Sequence, residues 1–278
     1  MATYSRRASL VSTMPTTRFR LRRLLGLVAA IMLLSLIAFV AASHFISRHV
    51  YDDFESSALS WRWIQWRLVP GAAQPESQIV RAGHRALALT VHSGDRREEA
   101  SDTGAATERA EIMESWLLFS RTRRTYVYSF SLYLPNDLPS DSQRLVIAQW
   151  RQLCEARRCR PDNPVLAIRF QQGKLIVTRQ NDQGRAVLYE SDNDFHGRWL
   201  DFRFVVRFDA RQGKIEATLN GAPIAAYSGP TVFSTPGYPE KGLVYFKTGL
   251  YRDALNNPPW TIYVDEYRKD QCAAEGCR

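Results

Sequence analysis

Three short segments of this 278-residue chain carry polar side chains at i and i+2, with small or apolar residues between them. They are Glu108-Arg109-Ala110-Glu111-Ile112, Ile147-Ala148-Gln149-Trp150-Arg151 and Tyr245-Phe246-Lys247-Thr248-Gly249-Leu250-Tyr251-Arg252. Alternate side chains of a β-strand leave opposite faces. Arg109 and Glu111 then share a face, Gln149 and Arg151 share one, and Tyr245, Lys247, Gly249 and Tyr251 share a third. Phe246 and Leu250 point the other way, toward a core. Laid side by side, such strands would floor a groove rich in cations and amide, with a phenol among them. Arginine grips carboxylate or sulfate through a planar fork. An amide holds a carboxyl group without adding charge, and a phenol can pass a proton. Gly249 would let a ligand come close to the backbone. The chemistry indicated is recognition of an acidic, extended ligand such as a uronic-acid polysaccharide. The plainer alternatives are a salt-bridged surface pair for Arg109 and Glu111, a strand-satisfying Gln149 and a solvated Lys247.

The elements that must position these groups read as strands. Ala86–Val91, Tyr126–Leu134, Gln143–Arg151, Val165–Phe170, Lys174–Arg179, Trp199–Phe208, Gly213–Leu219, Ala222–Tyr227, Leu243–Tyr251 and Thr261–Tyr267 alternate in polarity. Within Trp199–Phe208, Leu200, Phe202, Phe204, Val206 and Phe208 fall on one side, with Arg203 and Arg207 on the other, solvated side. Gln172-Gly173 and Asn220-Gly221 are tight-turn signals, the second the stronger. Many short strands with frequent turns predict an all-β sandwich or barrel. The polar stretch 93–107 reads as a loop bordering the groove. Trp61 and Trp63 would share a strand face, either packing in the core or edge or stacking on sugars.

The charge is uneven. Of the 37 Lys and Arg, seven lie in residues 1–49, where there is no Asp or Glu, so the rest of the chain is nearly balanced against its 28 acidic residues. The basicity therefore argues for topology rather than for nucleic acid as a partner. Residues 1–23 form a basic cytoplasmic arm, and 24–46 an apolar transmembrane anchor or cleavable signal segment, with Val40-Ala41-Ala42 resembling a cleavage site. The expected locations are an inner-membrane-anchored protein with a periplasmic or extracellular domain, or a secreted one. Residues 50–270 form the domain and 271–278 a tail. Four cysteines allow three pairings. Two local loops, Cys154–Cys159 and Cys272–Cys277, are the simplest, and an oxidising compartment allows them. No cofactor or metal site is indicated. Asp265-Glu266 could at most help to hold a structural calcium. There is no serine-nucleophile elbow, phosphate loop or zinc-protease motif.

The order Arg109-x-Glu111, then Gln149-x-Arg151, then Tyr245-Phe246-Lys247-x-Gly249-x-Tyr251 resembles the jelly-roll polysaccharide lyases: alginate lyases of polysaccharide lyase family 7, glucuronan lyases and, most of all, the heparin lyase I family. The segments YSFSLYLPND, AQWR, NPVLAIRF, GRWLDFRFVVRF, LNGAPI and YFKTGLYR carry this resemblance over about residues 50–268. It implies a concanavalin-like β-sandwich (jelly roll) and β-elimination at a uronic acid. Gln149 and Arg109 would neutralise the carboxylate, and Tyr251 would act as acid and also as base. Lys247 would stand beside it as a fourth catalytic residue. Arg151, Glu111, Tyr245 and Arg252 would bind substrate. One position departs from the pattern: the family has His where this chain has Arg151, and Arg is too basic to serve as a general base. Either Tyr251 makes both proton transfers, or another residue, with His92 and His196 available, supplies the base, or the protein binds an acidic polysaccharide without cleaving it. A glycoside hydrolase on the same scaffold would need two carboxylates, and Glu111 has no evident partner.

Overall fold

In the computed structural model the described residues are 24–38, 48–65, 68–95, 107–155, 164–239, 241–254, 258–273 and Cys277. The chain divides into two compact units, Met1–Phe45 and Ile46–Arg278. In the first, residues 24–38 are helical and exposed. Among the described residues no helix is long and apolar enough to cross a membrane. Residues 39–46, the remainder of the expected anchor, lie outside the described part, as do residue 47, the basic arm, Trp66, Cys159 and residues 96–106 of the expected loop.

The second unit is built from β1 (His49–Asp52), β2 (Trp63–Ile64), β3 (Ala73–Glu76), β4 (Ala86–Val91), β5 (Thr107–Glu114), β6 (Ser120–Arg121), β7 (Thr125–Leu134) and β8 (Leu145–Gln152). It continues through β9 (Leu166–Gln171), β10 (Lys174–Asn181), β11 (Gly184–Ser191), β12 (Arg198–Arg207), β13 (Gly213–Leu219), β14 (Ala222–Gly229), β15 (Leu243–Asp253) and β16 (Trp260–Gln271). Two antiparallel sheets result. One runs β14-β13-β12-β7-β16-β4-β3, with β1 also on β16; the other runs β11-β10-β9-β8-β15-β5-β2, with β6 also on β15. This is the expected all-β jelly-roll sandwich.

Apolar alternation explains the layers. Phe130, Phe202 and Phe204 from the first sheet meet Trp150 and Phe246 from the second, with Trp150 4.9 Å from Phe204 and 5.0 Å from Phe246 between ring centroids. These rings are buried, and aromatic burial of this kind dominates core energetics. Both predicted tight turns form with positive φ at their two central residues, Gln172-Gly173 and Asn220-Gly221, as a two-residue hairpin requires. Strand β11 escapes the alternation rule because Ala186, Val187, Leu188 and Tyr189 follow one another in this edge strand. Trp63 is core: its indole N–H donates to Asp52 Oδ2 (2.9 Å) and its ring packs edge-on to Tyr267. Trp61 is exposed, with Arg62 over its ring. Arg203 is exposed, and Arg207 pairs with Asp209.

The predicted Cys272–Cys277 disulfide is present. Cys154 is also disulfide-bonded. Asp265, weighed as a calcium ligand, accepts backbone N–H groups from Arg81, Ala82 and Glu266. Burial pushes its carboxyl up to about 6 against those hydrogen bonds. Among the described residues no cluster of three His, Cys, Asp or Glu side chains could hold a metal ion.

Candidate active site

Strands β5, β15, β8 and β9 lie side by side, so the three polar segments do meet on one sheet. Tyr251 faces Arg109, and Gly249 faces Glu111, across β15 and β5. Across β15 and β8, Lys247 faces Gln149 and Tyr245 faces Arg151. On β5 the residues alternate with Ala110 and Ile112, which belong to the core. Arg109 and Glu111 therefore occupy the outer face of the sheet. They are nevertheless buried there, as are Gln149 and Lys247, which rules out the solvated surface pair.

Glu111 is the hub. Gln149 donates its amide N–H to Glu111 Oε1. Lys247 Nζ lies 3.6 Å and Arg109 Nη1 4.0 Å from Glu111 Oε2. The Arg109 guanidinium also lies over the Tyr251 ring, 4.4 Å from its centroid, and Arg144 lies 5.9 Å from it. Tyr251 thus has cations on its flanks, and the buried acid orients the amide and two of the cations. Burial in a low-dielectric setting makes such fixed charges more effective than they are in water.

Beyond this cluster a cavity of about 440 Å³ is lined by Arg109, Glu111, Lys247, Met113, Trp116 and Tyr245, among others. Its far end is apolar. Tyr245 stacks on Phe119 with centroids 4.9 Å apart, and Trp116 stands 67% exposed at the rim. A volume of this size suits a ligand-sized occupant.

Two expectations require correction. Arg252 does not reach the outer face. It is fully buried on the opposite side, bonded to Glu108 Oε2 at 2.9 Å and to the Pro258 carbonyl at 2.8 Å, with Trp260 under its guanidinium. Its side follows from parity with Leu250. The space left by Gly249 is taken by the neighbouring strand, not by a ligand: a Cβ there would sit 2.0 Å from the Ala110 carbonyl oxygen, and φ is +136°. The register shift between β15 and β8 falls here, between Thr248 and Tyr251. Gly249→Ala is accordingly expected to cost about 2 kcal/mol or more, read as a lower urea midpoint with unchanged slope.

The two histidines considered as bases make other contacts. His196 is held between Asp194 (2.8 Å) and the Leu138 carbonyl (2.9 Å), and its ring packs edge-on to Phe170. His92 lies against Asp95. The sequence reading missed Arg169, Arg144 and Arg185. Arg169 sits in NPVLAIRF between Ile168 and Phe170, both core residues. That alternation was the available signal for a cation on the outer face.

A two-sheet sandwich whose outer face gathers a phenol, an amide, a buried acid and several guanidiniums defines a jelly roll with an anion-binding face that also carries a proton-transfer group. The fold is similar to that of an endo-beta-1,4-glucuronan lyase from the fungus Trichoderma reesei, with a TM-score of 0.63 and 16% identity over 81% of this chain and 96% of that one. It is similar also to an alginate lyase from Polysaccharide Lyase family 7 (TM-score 0.53, 15% identity, 82% and 96% covered). A third similar structure is alginate lyase PA1167 from Pseudomonas aeruginosa (0.50, 16%, 81% and 99%). No curated protein matches the chain. The family model described as polysaccharide lyase matches residues 54–268, and the chain belongs to that family.

Proposed function

We propose that this polysaccharide lyase cleaves a uronic-acid-containing polymer by β-elimination, with Tyr251 as the proton-transfer residue. The observation that carries the reading is the placement of Tyr251 on the outer face under Arg109, at 4.4 Å, beside the Glu111–Gln149–Lys247 cluster. In the reaction the substrate carboxylate is neutralised by fixed donors, which stabilises the charge that develops when C5 loses its proton. The C5–H electrons form the C4=C5 double bond, the C4–O4 bond breaks, and O4 takes up a proton. Tyr251 enters the step as the phenolate, takes the proton from C5 to become the phenol, and gives that proton to O4, which regenerates the phenolate; no histidine is then needed and Arg151 serves as an added carboxylate clamp. Glu111 keeps Gln149, Arg109 and Lys247 in place. Tyr245 and the apolar end of the cavity receive a sugar ring.

Glucuronan and alginate are the first substrates to test, because they are the polymers named for the similar structures. Heparin and heparan sulfate stay in the panel because the heparin-lyase-I-like segments, YFKTGLYR foremost, still support that finer assignment. The basic arm, the apolar run and the disulfides support action outside the cytoplasm, with the domain either anchored by the N-terminal segment or released from it.

The test is incubation of the full chain with these four polymers, following the ultraviolet absorbance of the new double bond conjugated to the carboxylate. A rise on one polymer is the expected result. Arg151 at the family's His position favours one second reading, a polysaccharide-binding protein without turnover. Saturable binding with no absorbance change on any polymer would establish it and retire the lyase mechanism.

A further inference from the structure

We propose that Arg169, with Arg144 and Arg185, forms a carboxylate subsite beside Tyr251 that takes the uronate unit next to the one cleaved, so that the enzyme selects runs of contiguous uronic acids. Arg169 is on β9, where it faces Val146 of β8, and Val146 in turn faces Tyr251 of β15. Arg109, Tyr251, Val146 and Arg169 therefore form one row across the sheet. Val146 is buried but lies outside the interior core, unlike its neighbours Leu145 and Ile147, so it is the apolar floor between the phenol and the guanidinium.

Among the described residues the charge around Arg169 is unmatched. Arg169 is only 7% exposed, yet among the described residues its one hydrogen bond is from Nε to the neutral Thr178 Oγ1, at 3.3 Å. Among the described residues, the nearby cations Arg185 and Arg144 disfavour its charge and Tyr251 favours it. Burial and those two cations push its guanidinium down to about 10. Arg185 is held by the neutral Gln180 Oε1, through Nε and Nη2 at 3.3 Å each. Among the described residues, Arg144 is the one of the three with an acid, Asp253 at 3.3 Å. At the other end of the row Arg109 and Lys247 already share Glu111. A buried charge without a counter-charge costs stability, and a guanidinium fork matches a carboxylate in a bidentate manner. The arrangement is therefore complete only when an anion arrives at the Arg169 end of the row.

This inference rests on reading the outer face as a polyuronate site, and binding measurements separate the two. Full-length Tyr251→Phe protein, which keeps substrate intact, is titrated calorimetrically with an unsulfated glucuronate trisaccharide. The expected result is a loss of affinity of about tenfold or more in Arg169→Gln, consistent with one charged hydrogen-bonding partner. Arg169→Lys recovers part of it, and the exposed Arg185→Gln shows a smaller loss. Without ligand, Arg169→Gln melts at or above the parent temperature, because an unneutralised buried cation has gone; a purely structural arginine would lower it. Unchanged affinity in folded Arg169→Gln would overturn the subsite. So would a lowered melting temperature together with unchanged affinity in Arg185→Gln. Tighter Arg169-dependent binding of inorganic sulfate or a sulfated trisaccharide than of the glucuronate would overturn its assignment to carboxylate. Arg169-dependent glucuronate binding without turnover of any polymer by the wild type would uphold the subsite and defeat the lyase mechanism. Turnover of glucuronan by Arg169→Gln at the wild-type kcat/KM would do the reverse.

Discussion

Tyr251→Phe is expected to lower kcat/KM on the cleaved polymer by about 10²–10⁴-fold, the range for loss of a general acid–base group, while leaving the melting temperature essentially unchanged. The two halves of this expectation have separate causes. The phenol oxygen is the only group removed, and Tyr251 is partly exposed rather than core. The ring remains to pack against Arg109 and Arg144, at 4.4 and 5.9 Å. Substrate binding survives for the same reason, so the loss falls on kcat more than on KM. The assay is the double-bond absorbance under substrate saturation, beside a thermal melt. Retention of full activity would transfer the proton chemistry to another residue. His196 and His92 make their hydrogen bonds to Asp194, the Leu138 carbonyl and Asp95, so that residue would have to be sought elsewhere on the outer face.

Tyr251 was legible in the sequence because strand parity is local. Once Phe246 and Leu250 are assigned inward, Tyr245, Lys247 and Tyr251 must face outward. The same rule placed Arg109, Glu111, Gln149 and Arg151 correctly and, applied to NPVLAIRF, would have placed Arg169. It should also have warned against Arg252, which shares parity with Leu250 and ends in the interior beside Glu108. What parity cannot supply is who fills the space next to a residue. Gly249 looked like room for a ligand and is room for the Ala110 carbonyl, because the close approach involves a strand more than 130 residues away in sequence. Likewise Arg109, Gln149 and Lys247 read as donors awaiting a substrate carboxylate, whereas a carboxylate of the chain itself, Glu111, already sits among them. The edge strand β11 carries no apolar alternation, so its pairing emerges only when the sheet is assembled.

The inward face of β5 leads to the largest expected effect on stability. There Glu108, Ala110, Ile112 and Glu114 follow one another, and the two glutamates meet cations at opposite ends of the strand. Glu114 Oε1 accepts Lys269 Nζ at 2.6 Å and the Tyr267 hydroxyl at 2.5 Å, while Oε2 accepts the Phe246 backbone N–H at 3.0 Å. Lys269 also donates to the Leu118 carbonyl. Glu114 and Lys269 are both fully buried and belong to opposite sheets, so the pair ties β5 to β16 and fixes Phe246, the residue before Lys247. Burial pulls the Lys269 ammonium pKa down, and Glu114 opposes that pull. Breaking a buried pair from one side leaves an uncompensated charge and costs about 3–5 kcal/mol. Lys269→Met is expected to fall in that range by urea denaturation. Glu114→Gln/Lys269→Met should cost less than the two single changes added together, because the double variant strands no charge and the amide can still meet the Phe246 N–H and the Tyr267 hydroxyl. Additive losses would mean that the two side chains act independently. The link between the sheets would then lie in the aromatic core, and the alignment of Lys247 with Glu111 would not depend on this pair.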